Sequence, residues 1–70
     1  MKMQVKDLVE VTLATMPVRI EHNNTLVIEV CHLFYNGECM IPKPVMEMEV
    51  ECVSLYYGDD QDMGLLIEVR

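Results

Sequence analysis

Pro17-Val18-Arg19-Ile20-Glu21-His22-Asn23-Asn24-Thr25-Leu26-Val27-Ile28-Glu29-Val30-Cys31 places two aliphatic-rich segments on either side of an Asn-Asn pair, the pattern of a β-hairpin. Pairing Val18 with Val30, Ile20 with Ile28 and His22 with Leu26 gathers the apolar side chains on one face. The same register sets Arg19 opposite Glu29, an opposite-charge cross-strand pair. A two-residue loop at Asn23-Asn24 would instead set Val18 against Glu29 and Arg19 against Ile28, because a one-residue slip inverts every side chain. The pattern therefore predicts an odd-length loop of three or five residues, with Asn24 suited to a left-handed backbone.

Downstream, Met46-Glu47-Met48-Glu49-Val50-Glu51-Cys52 alternates without a break and predicts a strand with Met48, Val50 and Cys52 facing inward. Val53 and Leu55 then fall out of phase with Ser54, so a bulge or a second covered face is expected near residues 52–54. Gly58-Asp59-Asp60-Gln61-Asp62 reads as a loop, and Leu65, Ile67 and Val69 read as a closing strand with Glu68 outward. Residues 46–57 and the closing strand make a second hairpin.

Between the hairpins, Tyr35-Asn36-Gly37 reads as a turn. Ile41-Pro42-Lys43-Pro44 holds two prolines that neither continue a helix nor donate to a central ladder, with Met40 and Ile41 as a short edge strand. At the start, Val5, Leu8, Val9 and Leu13 share a helical face, which predicts a short helix over residues 4–10. The expected architecture is α+β and mainly β: one domain over residues 1–70, with two antiparallel hairpins in a small sheet or partly open barrel beside a short N-terminal helix.

A chain of 70 residues buries only about 60% of the surface its unfolded state exposes, so a second copy is expected to complete the core in a homodimer or higher homo-oligomer. Seven methionines, one Phe and no Trp make that core soft and adaptable. No segment reaches the roughly 20 apolar residues of a membrane span, and the N-terminal residues lack a secretory apolar run, which predicts a cytoplasmic protein without membrane contact. Three cysteines, Cys31, Cys39 and Cys52, are odd in number and loosely spaced, unlike a disulfide framework, and are expected reduced. A net charge of −7 opposes direct contact with nucleic acid and favours basic protein partners.

Chemistry-bearing residues are sparse. Cys31, His32, Cys39 and Cys52 are the ligand types of a zinc centre, but no C-x2-C knuckle presents two thiolates together, so no metal is expected and the cysteines read as small core hydrophobes. His22 reads as a solvated turn residue and His32 as a partly buried structural one. No Gly-rich phosphate loop exists: Gly37, Gly58 and Gly64 all fall at expected turns. No enzyme activity and no cofactor are predicted.

The candidate partner-binding residues are instead acidic. Glu47, Glu49 and Glu51 form a row on one strand face at about 6.8 Å spacing, and Asp59, Asp60 and Asp62 extend it. Such a row can occupy a groove lined by Arg and Lys; the plainer reading is a solvated sheet face kept charged for solubility. Tyr57 joins the set, since Tyr56 and Tyr57 point oppositely and one of them is exposed.

Val5-Lys6-Asp7-Leu8, Val18-Arg19-Ile20, Ile41-Pro42 with Val45, Glu49-Val50, Val53-Ser54 and Gly64-Leu65-Leu66-Ile67-Glu68-Val69 together resemble a loose group of short proteins encoded by phages and prophages of Gram-positive, often gut-dwelling, bacteria. The segment Cys31–Cys39 departs from that group's acidic, polar connection. The resemblance implies a viral accessory protein in a bacterial host cytoplasm, similar in kind to inhibitors of host defence, including anti-CRISPR proteins. The expected function is inhibition or modulation of a host defence or nucleic-acid-handling protein through the acidic surface. Two alternatives stay open: a homo-oligomeric sponge for a small signalling nucleotide, using Arg19, Lys43 and Lys6, and a structural component of a phage particle.

Overall fold

Two hairpins side by side form the body of the structure, a computed structural model that describes residues 2–12, 14–57 and 63–70. In chain order the elements are α1 (Val5–Val9), β1 (Val18–His22), β2 (Thr25–Val30), β3 (Phe34–Tyr35), β4 (Glu38–Cys39), α2 (Lys43–Met46), β5 (Val50–Tyr57) and β6 (Met63–Val69). β1 and β2 pair antiparallel, as do β5 and β6, and β1 lies parallel to β6. The result is an open four-stranded sheet in the order β2-β1-β6-β5, with β3 and β4 as a separate small ribbon. The α+β, mainly β class with an N-terminal helix holds; the four strands do not close into a barrel.

Alternation decides which face is covered. Val18 and Ile20 of β1 and Ile67 and Val69 of β6 are buried, and their neighbours Arg19, Glu21, Leu66 and Glu68 are only partly so. Val5 and Val9, one helical turn apart on α1, join Val45 of α2, Leu33 and Ile41 in covering that inner side. The α1 start is held by Asp7, whose Oδ2 accepts the Gln4 backbone N–H at 2.9 Å, one half of a capping box.

The first hairpin has the expected register where the apolar pairs are strongest: Val18 opposite Val30, Arg19 opposite Glu29, Ile20 opposite Ile28. Its loop does not have the expected length. Glu21 pairs with Leu26 and His22 with Thr25, which leaves a two-residue turn, Asn23-Asn24, with φ of 50° and 64°. The register shifts between Ile20 and Glu21, so Val27 is the extra residue of a β-bulge, and the parity that an odd loop would have restored is restored inside the strand. Positive φ at both central residues is the type I′ signature, for which Asn-Gly is the best pair. In urea melts Asn24→Gly is expected to raise the unfolding free energy by up to about 1 kcal/mol, and Asn24→Val to lower it by about 1–2 kcal/mol, because a β-branched residue resists the left-handed region.

The connection between the hairpins corrects three expectations. Pro42 and Pro44 do not exclude a helix: Pro42 is the N-cap and Pro44 lies in the first turn of α2, where a missing N–H costs nothing. Met40 and Ile41 form no edge strand; Glu38 and Cys39 pair with Phe34 and Tyr35 across the Asn36-Gly37 turn, and Ile41 is a core residue. Because α2 consumes Lys43–Met46 and Glu47 is its C-cap, the strand expected from Met46 begins only at Val50. Met48 and Val50 are half-buried as expected, but Cys52 is exposed. The bulge expected near residues 52–54 falls slightly earlier, between Val50 and Cys52. Gly64, read as a turn, is a buried residue inside β6.

Candidate partner-binding surface

The three glutamates do not form a row on one strand. Glu47 is exposed at the C-terminus of α2, and Glu49 is half-buried in an isolated bridge with Gln4. Glu51 is exposed at the β5 bulge. The even spacing of about 6.8 Å expected of a regular strand is therefore replaced by an acidic corner where α2 turns into β5. This corner is fixed by backbone bonds: Val5 N–H donates to the Met48 carbonyl at 3.0 Å, Val50 N–H to Met3 at 2.7 Å, and Arg70 N–H to Glu49 at 3.1 Å. Asp59, Asp60 and Asp62 lie outside the described residues. Tyr57, at the far end of β5, is exposed as expected.

Among the described residues, ion pairs are made by Arg19 alone. Its Nε donates to Glu21 Oε2 at 2.7 Å and its Nη1 to Glu29 Oε2 at 2.8 Å, on the sheet face opposite the core. These hydrogen bonds, Glu21 first and Glu29 second, raise the guanidinium pKa. Tyr56 lies half-buried on the same face, and burial first, then the nearby Glu29 charge, raises its phenol above the ordinary value. Glu47, Glu49 and Glu51 make no ion pair among the described residues.

The cysteines and histidines do not converge. Cys31 and Cys52 are exposed rather than core, Cys39 is half-buried, and all three are free thiols. His32 is exposed rather than partly buried, and His22 is exposed with Nδ1 3.1 Å from the Val69 carbonyl oxygen. Among the described residues no cluster of three or more His, Cys, Asp or Glu could hold a metal ion. A recess of about 260 Å³ lies between Val30, Cys31, His32, Tyr35 and Met40, below the roughly 300–1,000 Å³ of small-molecule sites. It has no Lys or Arg in its wall to meet a phosphate.

Sequence reading missed one surface. Across β5 and β6, Val53 faces Ile67, Leu55 faces Leu65 and Tyr57 faces Met63, so the β5 residues belong to the core side of the sheet. Their exposures are nonetheless 40% for Val53, 59% for Leu55, 73% for Tyr57 and 48% for Met63. The signal was the out-of-phase pair Val53 and Leu55, which marks a side of β5 that the other described residues leave largely exposed.

No protein-family model, curated protein or solved structure matches the chain. No helix among the described residues is long and apolar enough to cross a membrane.

Proposed function

We propose that the chain is a non-catalytic binding protein that docks its acidic corner, Glu47, Glu49 and Glu51, on a basic surface of another protein. In this reading it is a phage-type accessory protein that inhibits or modulates a host defence or nucleic-acid-handling protein, a class whose working surfaces are rich in Arg and Lys. The observation that carries the reading is that these carboxylates make no ion pair among the described residues of a chain of net charge −7, while Arg19, on the outer face of the sheet, is already engaged by Glu21 and Glu29. An exposed carboxylate gains little from an isolated pair, but several converging on one groove steer and orient a cationic partner.

The test is capture of a partner from host lysate by the wild type and by a Glu47→Lys/Glu51→Lys variant, with far-UV circular dichroism confirming that both are folded. Both positions are exposed, so the fold should tolerate the exchange. At least a tenfold loss of the captured protein in the variant, and a comparable loss for the wild type at high salt, is the expected result. Equal recovery of the same protein by both would remove the reading.

A further inference from the structure

The outer edge of β5 is covered only at its beginning. There Val50 N–H donates to the Met3 carbonyl and Gln4 bridges Glu49. From Glu51 to Tyr57, no backbone hydrogen bond is made on that outer edge among the described residues. Soluble proteins guard such edges with Lys, Pro or inward-pointing charge. Cys52-Val53-Ser54-Leu55-Tyr56-Tyr57 contains none of these; Glu51 and its bulge guard only the start. The same strand carries the bare core-side patch of Val53, Leu55 and Tyr57, with Met63 beside it.

We propose that a second copy of this chain closes the edge: two β5 strands pair antiparallel about Ser54, joining two four-stranded sheets into one of eight strands. The register follows from what is open. Residues 3–5 occupy the edge up to Val50, so the free stretch runs from Glu51 to Tyr57, and its midpoint is Ser54. About that point Val53 meets the partner's Leu55, Cys52 meets the partner's Tyr56, and Glu51 meets the partner's Tyr57.

Charge selects this arrangement. No carboxylate in the paired stretch faces another, whereas parallel pairing would set Glu51 against the partner's Glu51, a destabilising like-charge pair. On the core side, Val53 and Leu55 of both copies become one apolar cluster flanked by the two Tyr57 rings. Antiparallel twofold pairing is also the isologous contact that closes after two copies. A stable dimer buries at least about 600 Å² per partner, roughly one eighth of this chain's 5032 Å². Seven residues of open backbone, with Val53, Leu55, Tyr57 and Met63 exposed by 40%, 59%, 73% and 48%, are what the chain offers toward that area.

Glu47 lies outside the paired stretch and Glu51 inside it, so the single variant Glu47→Lys, expected to lose the basic partner while staying dimeric, lets the two proposals fail separately. Size-exclusion chromatography with light scattering on the wild type is expected to give twice the chain mass of 8.1 kDa at micromolar concentration. Leu55→Lys, at an exposed site, should yield a folded monomer, while Thr25→Lys on the opposite edge strand β2 should leave the dimer intact. Should Leu55→Lys fail to fold, a Ser54→Cys variant with Cys31, Cys39 and Cys52 replaced by Ser decides the matter. Directly opposed residues of an antiparallel pair have Cα atoms about 4.5–5.5 Å apart, within disulfide reach, so mild oxidation should link the two copies. A monomeric wild type, a dimer that a folded Leu55→Lys leaves unchanged, or no cross-link at Ser54→Cys would each overturn the proposal.

Discussion

Ile20→Ala is expected to remove about half of the chain's folding stability. Ile20 is completely buried at the centre of the sheet, between Ile28 of β2 and Ile67 of β6, and belongs to the same cluster as Val5, Val9 and Leu33. Removing a buried isoleucine down to its Cβ costs about 2–5 kcal/mol, part lost transfer free energy and part cavity. A domain of this length has roughly 4–10 kcal/mol of stability in all. The loss is therefore about half of the whole, and urea melts followed by circular dichroism should show the midpoint fall to roughly half the wild-type value. Leu26→Ala at the exposed end of β2 is the comparison, with a shift no larger than about 1 kcal/mol expected. Similar midpoints for the two variants would show that the sheet centre does not hold the fold.

Gly64 is the second sensitive position, for a different reason. A Cβ built there would lie 2.8 Å from the Pro17 carbonyl oxygen and 2.9 Å from the Tyr56 ring. The ring can turn aside, but the carbonyl cannot, because it accepts the Leu65 N–H at 2.9 Å where β1 and β6 first come together. Gly64→Ala is expected to cost about 1–3 kcal/mol, and Gly64→Val more. Adding Tyr56→Leu to Gly64→Ala separates the two contacts in a double-mutant cycle. If the backbone contact dominates, the double variant stays well below Tyr56→Leu alone in urea; if the two have equal midpoints, the tyrosine ring was the only obstacle.

Gly64 also shows how a residue type can be read the wrong way. By composition it marks a turn; in the folded chain it is a strand residue kept small by the close approach of another backbone segment, which nothing local in the sequence announces. The hairpin register was legible because Val18, Ile20, Ile28 and Val30 tolerate one inside-outside assignment only. The turn was not, because the bulge at Val27 and the loop length trade against each other and side-chain parity sees only their sum. The alternation from Met46 to Cys52 misled for a related reason. Pro42 and Pro44 start a helix that places Val45 in the core, and a four-residue helix followed by a short corner reproduces the apolar-polar alternation of a strand over the same residues. The negative charge of the candidate surface was thus legible, while its shape, an acidic corner next to an apolar strand edge, depended on where α2 stopped.

The parallel contact between β1 and β6 sets the order in which the molecule can come together. Each β1 residue meets one 47 positions further along, as Val18 does Leu65 and His22 does Val69. The two middle strands of the sheet are therefore supplied by distant parts of the chain, and the first hairpin has no β6 neighbour until residues 63–69 have been synthesised. An isolated two-stranded hairpin is at best marginal in water, so a nascent chain emerging from the ribosome should carry Val18, Ile20, Ile28 and Val30 unshielded. It would acquire protection in one late step, when the last strand arrives.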